Sequence, residues 1–247
     1  MRAETRHQLK EDRFSKATLE AAEKTVHWSQ EHQSKLIAAA VAVAVIAAIA
    51  IGGWYYISAQ DEKASLELTG AVRTLETPLR PAGTPEQPGY PSFDSTTARA
   101  TAARREFQAI ADKYPQTRSG KMARYFVGLT AAQLGDNATA EHDLQEAANS
   151  SDSNLASLGK MALASVYAAE GKDPQAVDLY QQLIDRPTEV VAKVTAQFQL
   201  ASFYESRHKT DDARKIYTQV QKENAPSKEN PSSEAAQLAQ RKLAELK

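Results

Sequence analysis

From residue 36 to residue 57 the chain reads LIAAAVAVAVIAAIAIGGWYYI, without a charged side chain. At ~1.5 Å rise per residue, a helix of that length is about 33 Å long, close to the ~30 Å hydrocarbon core of a bilayer. Trp54, Tyr55 and Tyr56 close its C-terminal end, where amphipathic rings favour the headgroup region, and Lys35 closes the other. The pattern predicts a transmembrane helix over 36–57. A cleaved signal sequence is the competing reading. Its leading region would run to 35 residues, its apolar stretch exceeds the usual ~7–15 residues, and Ile57-Ser58-Ala59 makes a poor cleavage site. Lys16, Lys24 and Lys35 precede the span within twenty residues, whereas Lys63 and Arg73 follow it. That bias places the N-terminus in the cytoplasm and the rest outside.

Beyond residue 61 the pattern changes to a repeat. Ala103, Ala140, Ala176 and Ala213 stand 37, 36 and 37 residues apart. Four residues after each comes Phe107, Leu144, Tyr180 or Tyr217, and seven after comes Ile110, Ala147, Leu183 or Val220. Gly128, Ala164 and Ala201 stand twelve residues before the last three alanines, and Ala131, Tyr167 and Tyr204 nine before. Gly135, Gly171 and His208 fall in equivalent turns. Such spacing fits paired antiparallel helices. A small residue in each first helix admits the second closely, the alanine receives that contact, and the large residue four later packs on the same face. No single pair buries enough apolar surface, so stacking supplies the core.

These residues resemble the tetratricopeptide repeat over about 98–226, and weakly over 61–77. Ala103, Phe107 and Pro115 match one repeat. Gly128, Gly135, Ala140, Leu144 and Ala147 match the next, Ala164, Tyr167, Gly171, Ala176 and Tyr180 a third, and Ala201, Tyr204, Ala213 and Tyr217 a fourth. Two departures stand out. The aromatic residue that the family places early in each first helix is replaced by Arg124, Lys160 and Gln197, and the unit is two or three residues longer than the usual one.

The organisation expected is therefore all-α: one N-terminal transmembrane helix, then a tetratricopeptide-type helical solenoid with a C-terminal capping helix. A charged arm occupies 1–35, the span 36–57, and the first helix of an incomplete repeat 58–77, continuing from the span. A Pro/Gly-rich insertion follows over 78–97, with five prolines and two glycines between Pro78 and Pro91, read as an unstructured connector. Repeats cover 98–226, and a linker and capping helix 227–247. In the last, Ala236, Leu238, Ala239, Leu243 and Leu246 are candidate packing residues.

Composition narrows the chemistry. The chain has no cysteine, which excludes disulfides, thiolate metal sites and cysteine nucleophiles, and its formal net charge of -1 gives no basic field for nucleic acid. It carries no Gly-rich phosphate loop, HExxH, GxSxG or EF-hand pattern. No catalytic residue, cofactor, metal or small-molecule substrate is expected, and the chain is read as a non-enzyme. The resemblance instead implies a partner-binding groove lined by first helices. Its positions fall on Tyr125, Leu129, Gln133, Met161, Ser165, Phe198, Ser202 and Glu205. The competing reading makes Tyr125, Met161 and Phe198 inter-repeat core. Charged arm, single span and repeat domain together look like the ancillary subunit family of the bacterial Sec translocon. That likeness implies an inner-membrane location, a periplasmic repeat domain, and protein partners among translocon subunits, a periplasmic chaperone or exported clients. A structural accessory subunit of another membrane complex is the alternative.

Overall fold

The computed structural model describes residues 32–81, 83–84, 92–225 and 233–246. Most of the charged arm, the middle of the Pro/Gly-rich insertion and the 226–232 linker lie outside the described residues. The chain divides into two units, Met1–Ile57 and Ser58–Lys247. The described residues are all-α, with nine helices among them and one isolated bridge in place of any sheet.

Helix α1 spans Gln33–Glu76. It is long and apolar enough to cross a membrane. Within the first unit, every α1 side chain is exposed, including Val43, Ile46, Ile49, Ile51 and Trp54. An amphipathic helix packed in a soluble core would bury one face of such a run.

In the second unit the helices run in order: α2 Thr96–Lys113, α3 Arg118–Gln133, α4 Asn137–Ala148, α5 Ser153–Ala169, α6 Asp173–Asp185, α7 Lys193–Ser206, α8 Thr210–Glu223 and α9 Glu234–Glu245. Each packs against its sequence neighbour, as a stack of antiparallel hairpins must. The starts are chemically defined. Side chains of Ser95, Thr117, Asp136, Asp152 and Ser233 accept hydrogen bonds from amides of the first turn they precede.

Three inter-helix turns share one geometry. Gly135, Gly171 and His208 have φ of 77°, 74° and 57°. At each, the residue's own amide bonds the carbonyl three back, and the following amide bonds the carbonyl five back. Thus Gly135 and Asp136 reach Ala132 and Ala131, Gly171 and Lys172 reach Ala168 and Tyr167, and His208 and Lys209 reach Glu205 and Tyr204. This left-handed termination satisfies the last carbonyls of the first helix and turns the chain into the second.

The repeat alanines lie in the core. Ala103, Ala140, Ala176 and Ala213 are wholly buried, as are Ala164 and Ala201 on the facing first helices. Phe107, Leu144, Tyr180 and Tyr217 are buried one turn on. Full burial of a side chain of that size is worth about 1.5–3 kcal/mol. Three clusters form the core: one around Phe107, a large one from Ala131 to Phe203, and one around Tyr217. The α1 residues Ala64 and Ala71, two turns apart, join the Phe107 cluster. Asp61 accepts from the Ser119 amide at 2.8 Å, and Glu67 accepts from Lys113 and Tyr114 at 2.7 and 2.8 Å.

Adjacent hairpins are also tied by charge. Arg104 donates to Asp136 at 2.6 Å, Lys172 to Glu141 at 2.7 Å and Arg207 to Asp173 at 2.9 Å. Arg104 and Glu141 follow equivalent alanines, and Asp136 and Lys172 follow equivalent turn glycines. The tie is thus repeated one unit on with its signs reversed.

Two details differ from the sequence pattern. The described ends of the Pro/Gly-rich insertion are pinned rather than loose. Arg80 donates its amide to the Phe93 carbonyl at 2.7 Å, and Arg99 on α2 donates to the Thr77 carbonyl at 2.8 Å. On α9, Ala236 and Ala239 are buried, but Leu238 is exposed. The face at 236, 239, 243 and 246 follows three- and four-residue spacing, and 238 lies off it.

Candidate partner-binding surface

The eight groove positions lie on α3, α5 and α7. Three of them, Gln133, Ser165 and Ser202, are exposed. Tyr125, Leu129 and Met161 are half-buried and pack against the same large core cluster. Phe198 belongs with the Tyr217 cluster, its ring 5.7 Å from that of Tyr217. Tyr125 meets Phe126 edge-on at 5.4 Å, and burial pushes its hydroxyl pKa up. Each of these larger side chains both packs between repeats and keeps part of its surface open.

Two of the polar positions, Ser165 and Glu205, have internal partners. Ser165 donates to the Met161 carbonyl at 3.2 Å. Glu205 accepts from the Tyr217 hydroxyl at 2.5 Å and lies 3.9 Å from Lys242 on α9. Burial, then the bond to Glu205, pushes the Tyr217 hydroxyl pKa well up, so it stays a donor. Glu205 is therefore committed to holding α7, α8 and α9 together. Nothing in the repeat pattern signals that bond.

Two open depressions lie elsewhere, at the ends of the hairpins. One, of about 910 Å³, is lined by residues of α5, the end of α6, the 186–192 segment and the start of α7. The other, of about 680 Å³, occupies the corresponding place one repeat earlier, with Arg124 and Glu146 in its wall. The missing family aromatics are the sequence signal for these sites, because Arg124 and Lys160 replace them. Among the described residues, no group of three or more His, Asp or Glu side chains is placed to hold a metal ion.

What the surface offers is therefore recognition: half-open aromatic and aliphatic side chains, hydroxyls and amides on consecutive first helices, and polar depressions at the hairpin ends. A family model described as the tetratricopeptide repeat-like domain matches residues 26–247. No curated protein and no solved structure matches the chain. With a match over most of its length, and helices that repeat in the register described above, the chain belongs to the tetratricopeptide repeat-like domain family.

Proposed function

We propose that this protein is a membrane-anchored scaffold for protein–protein interaction that assists secretion or folding of envelope proteins near the Sec translocon. Its repeat-like domain is of a kind that binds proteins, and it performs no catalysis in this reading. The observation that carries the proposal is the joining of two features in one chain. An exposed, uncharged helical run over 36–57 is followed by stacked hairpins whose first helices present Tyr125, Met161 and Phe198 half-open. The run anchors the chain in the inner membrane, with the N-terminus cytoplasmic and the repeats periplasmic. Lys16, Lys24 and Lys35 against Lys63 and Arg73 support that orientation. The row of positions from Tyr125 to Ser202 receives an extended or helical segment of a partner. Its partners are translocon subunits, a periplasmic chaperone or exported clients.

The second reading is a permanent structural subunit of another membrane complex. Purification of the full chain in mild detergent, followed by harsh washing and quantification of what remains, separates the two. A scaffold of secretion yields sub-stoichiometric, heterogeneous company that washing removes. A single set of proteins retained at a fixed ratio makes the chain a dedicated subunit.

A further inference from the structure

We infer that the depression between α5, α6 and α7 binds an acidic segment of a partner protein, with Lys160 and Arg186 receiving its carboxylates. The inference rests on the reading of this domain as a protein scaffold, and it places a second contact outside the first-helix row.

Comparison of equivalent repeats carries it. The position held by Arg124, Lys160 and Gln197 comes four residues before Gly128, Ala164 and Ala201. In the flanking repeats this side chain has an internal acid. Arg124 is paired with Glu146, and Gln197 donates to Glu223 at 3.0 Å. Glu146 stands six residues after Ala140, and Glu223 ten after Ala213. In the middle repeat the same two places, counted from Ala176, hold Gln182 and Arg186. One acid has become neutral and the other a cation. Among the described residues, Lys160 and Arg186 make no ion pair, and Gln182 turns to Asp178 at 2.8 Å.

The unanswered charges face an open cavity. Three cations, Lys160, Arg186 and Lys193, line the depression against one carboxylate, Glu189. Lys193 is already bonded to Glu223 at 2.8 Å, which leaves Lys160 and Arg186 for an incoming acid. The segment carrying Arg186 is held in place. The Ser157 and Thr188 hydroxyls lie 2.8 Å apart, and Thr188 accepts from the Val191 amide at 3.2 Å. Cations on a fixed frame lose less freedom on binding than cations on a loose loop. A volume of about 910 Å³ admits several residues of extended chain rather than a lone ion.

The test is fluorescence anisotropy of a fluorescein-labelled hexaglutamate peptide with the purified full chain in neutral detergent. Saturable binding is expected. Two partly exposed ion pairs are worth roughly tenfold together, so Lys160→Gln with Arg186→Gln should weaken binding about tenfold. Arg105→Gln with Lys222→Gln removes two exposed cations elsewhere and should leave binding unchanged, and Lys160→Arg should retain it. Because neither Lys160 nor Arg186 has an ion-pair partner among the described residues, the melting curve should not move. Absence of saturable binding, or equal weakening by both double variants, overturns the inference. So does displacement by inorganic sulfate at the peptide's own concentration, which would make this a small-anion site. No translocon component is present in this assay, so its outcome is independent of the secretion reading.

Discussion

Gly159 on α5 lies so close to Ala148, at the end of α4, that a Cβ added to Gly159 would stand 2.4 Å from the Ala148 amide nitrogen. The Ala147 carbonyl carbon would be 2.7 Å away. Backbone on both sides cannot retreat as a side-chain tip can. Helix propensity alone favours alanine over glycine by about 1 kcal/mol, so the contact must reverse the sign. Gly159→Ala is expected to destabilise by about 1–3 kcal/mol, the usual cost of overpacking. Gly70 on α1 has nothing within 4 Å of the same construction, so Gly70→Ala is expected to stabilise. Thermal melts followed by circular dichroism check the pair. Equal shifts of the same sign would contradict the close approach of α5 to α4.

The three turns make a second comparison. Gly171 takes φ of 74° without penalty, whereas His208 holds 57° with a Cβ, at a cost of about 1 kcal/mol. Gly171→Ala should therefore lower stability by about that amount. In His208→Gly, relief of the strain offsets the greater freedom of glycine in the unfolded chain. That variant should melt within about 0.5 kcal/mol of the parent by denaturant titration. Equal losses from both variants would mean that the His208 turn does not share the glycine geometry.

A third expectation concerns acid. Lys193, then Gln219 and Gln197, hydrogen-bond the Glu223 carboxylate and hold its pKa at about 2, below the ordinary 4.5. A depressed carboxyl contributes stability in full above its unfolded value and loses it as pH falls toward the folded one. The group is partly exposed, so solvent screens the effect to below about 1 kcal/mol. Glu223→Gln should be slightly less stable than the parent at pH 6, and the gap should close between about pH 4.5 and 2. Urea titrations across that range check it. A gap that widens on acidification would reverse the assignment.

How far the sequence went can be judged residue by residue. The buried alanines, Gly128 and the turn residues Gly135, Gly171 and His208 were legible because each answers a local demand: a close contact or a left-handed backbone. The long apolar N-terminal helix was legible from composition alone. Gly159 was not, because a lone glycine inside a helical pattern carries no mark of what passes beside it. Glu141 reads along its own helix as a neighbour of Gln145, yet it reaches Lys172 and Tyr167 across the hairpin. Glu205 reads as an open groove position, yet it accepts from Tyr217. Pairings that depend on how one hairpin lies on the next are set by packing, not by spacing. The same limit applies to Tyr125, Met161 and Phe198, since one side of a helix can serve core and surface at once.

In-cell photo-crosslinking from Ser165 and Ser202 of the full chain tests the central claim most directly. Both side chains are exposed on first helices, so a photoreactive replacement leaves the packing intact. Adducts with translocon subunits, a membrane-anchored chaperone or several exported proteins are the expected result. Adducts with one unrelated complex, at constant stoichiometry from both positions, would contradict the secretion role and make the chain a structural subunit of that complex.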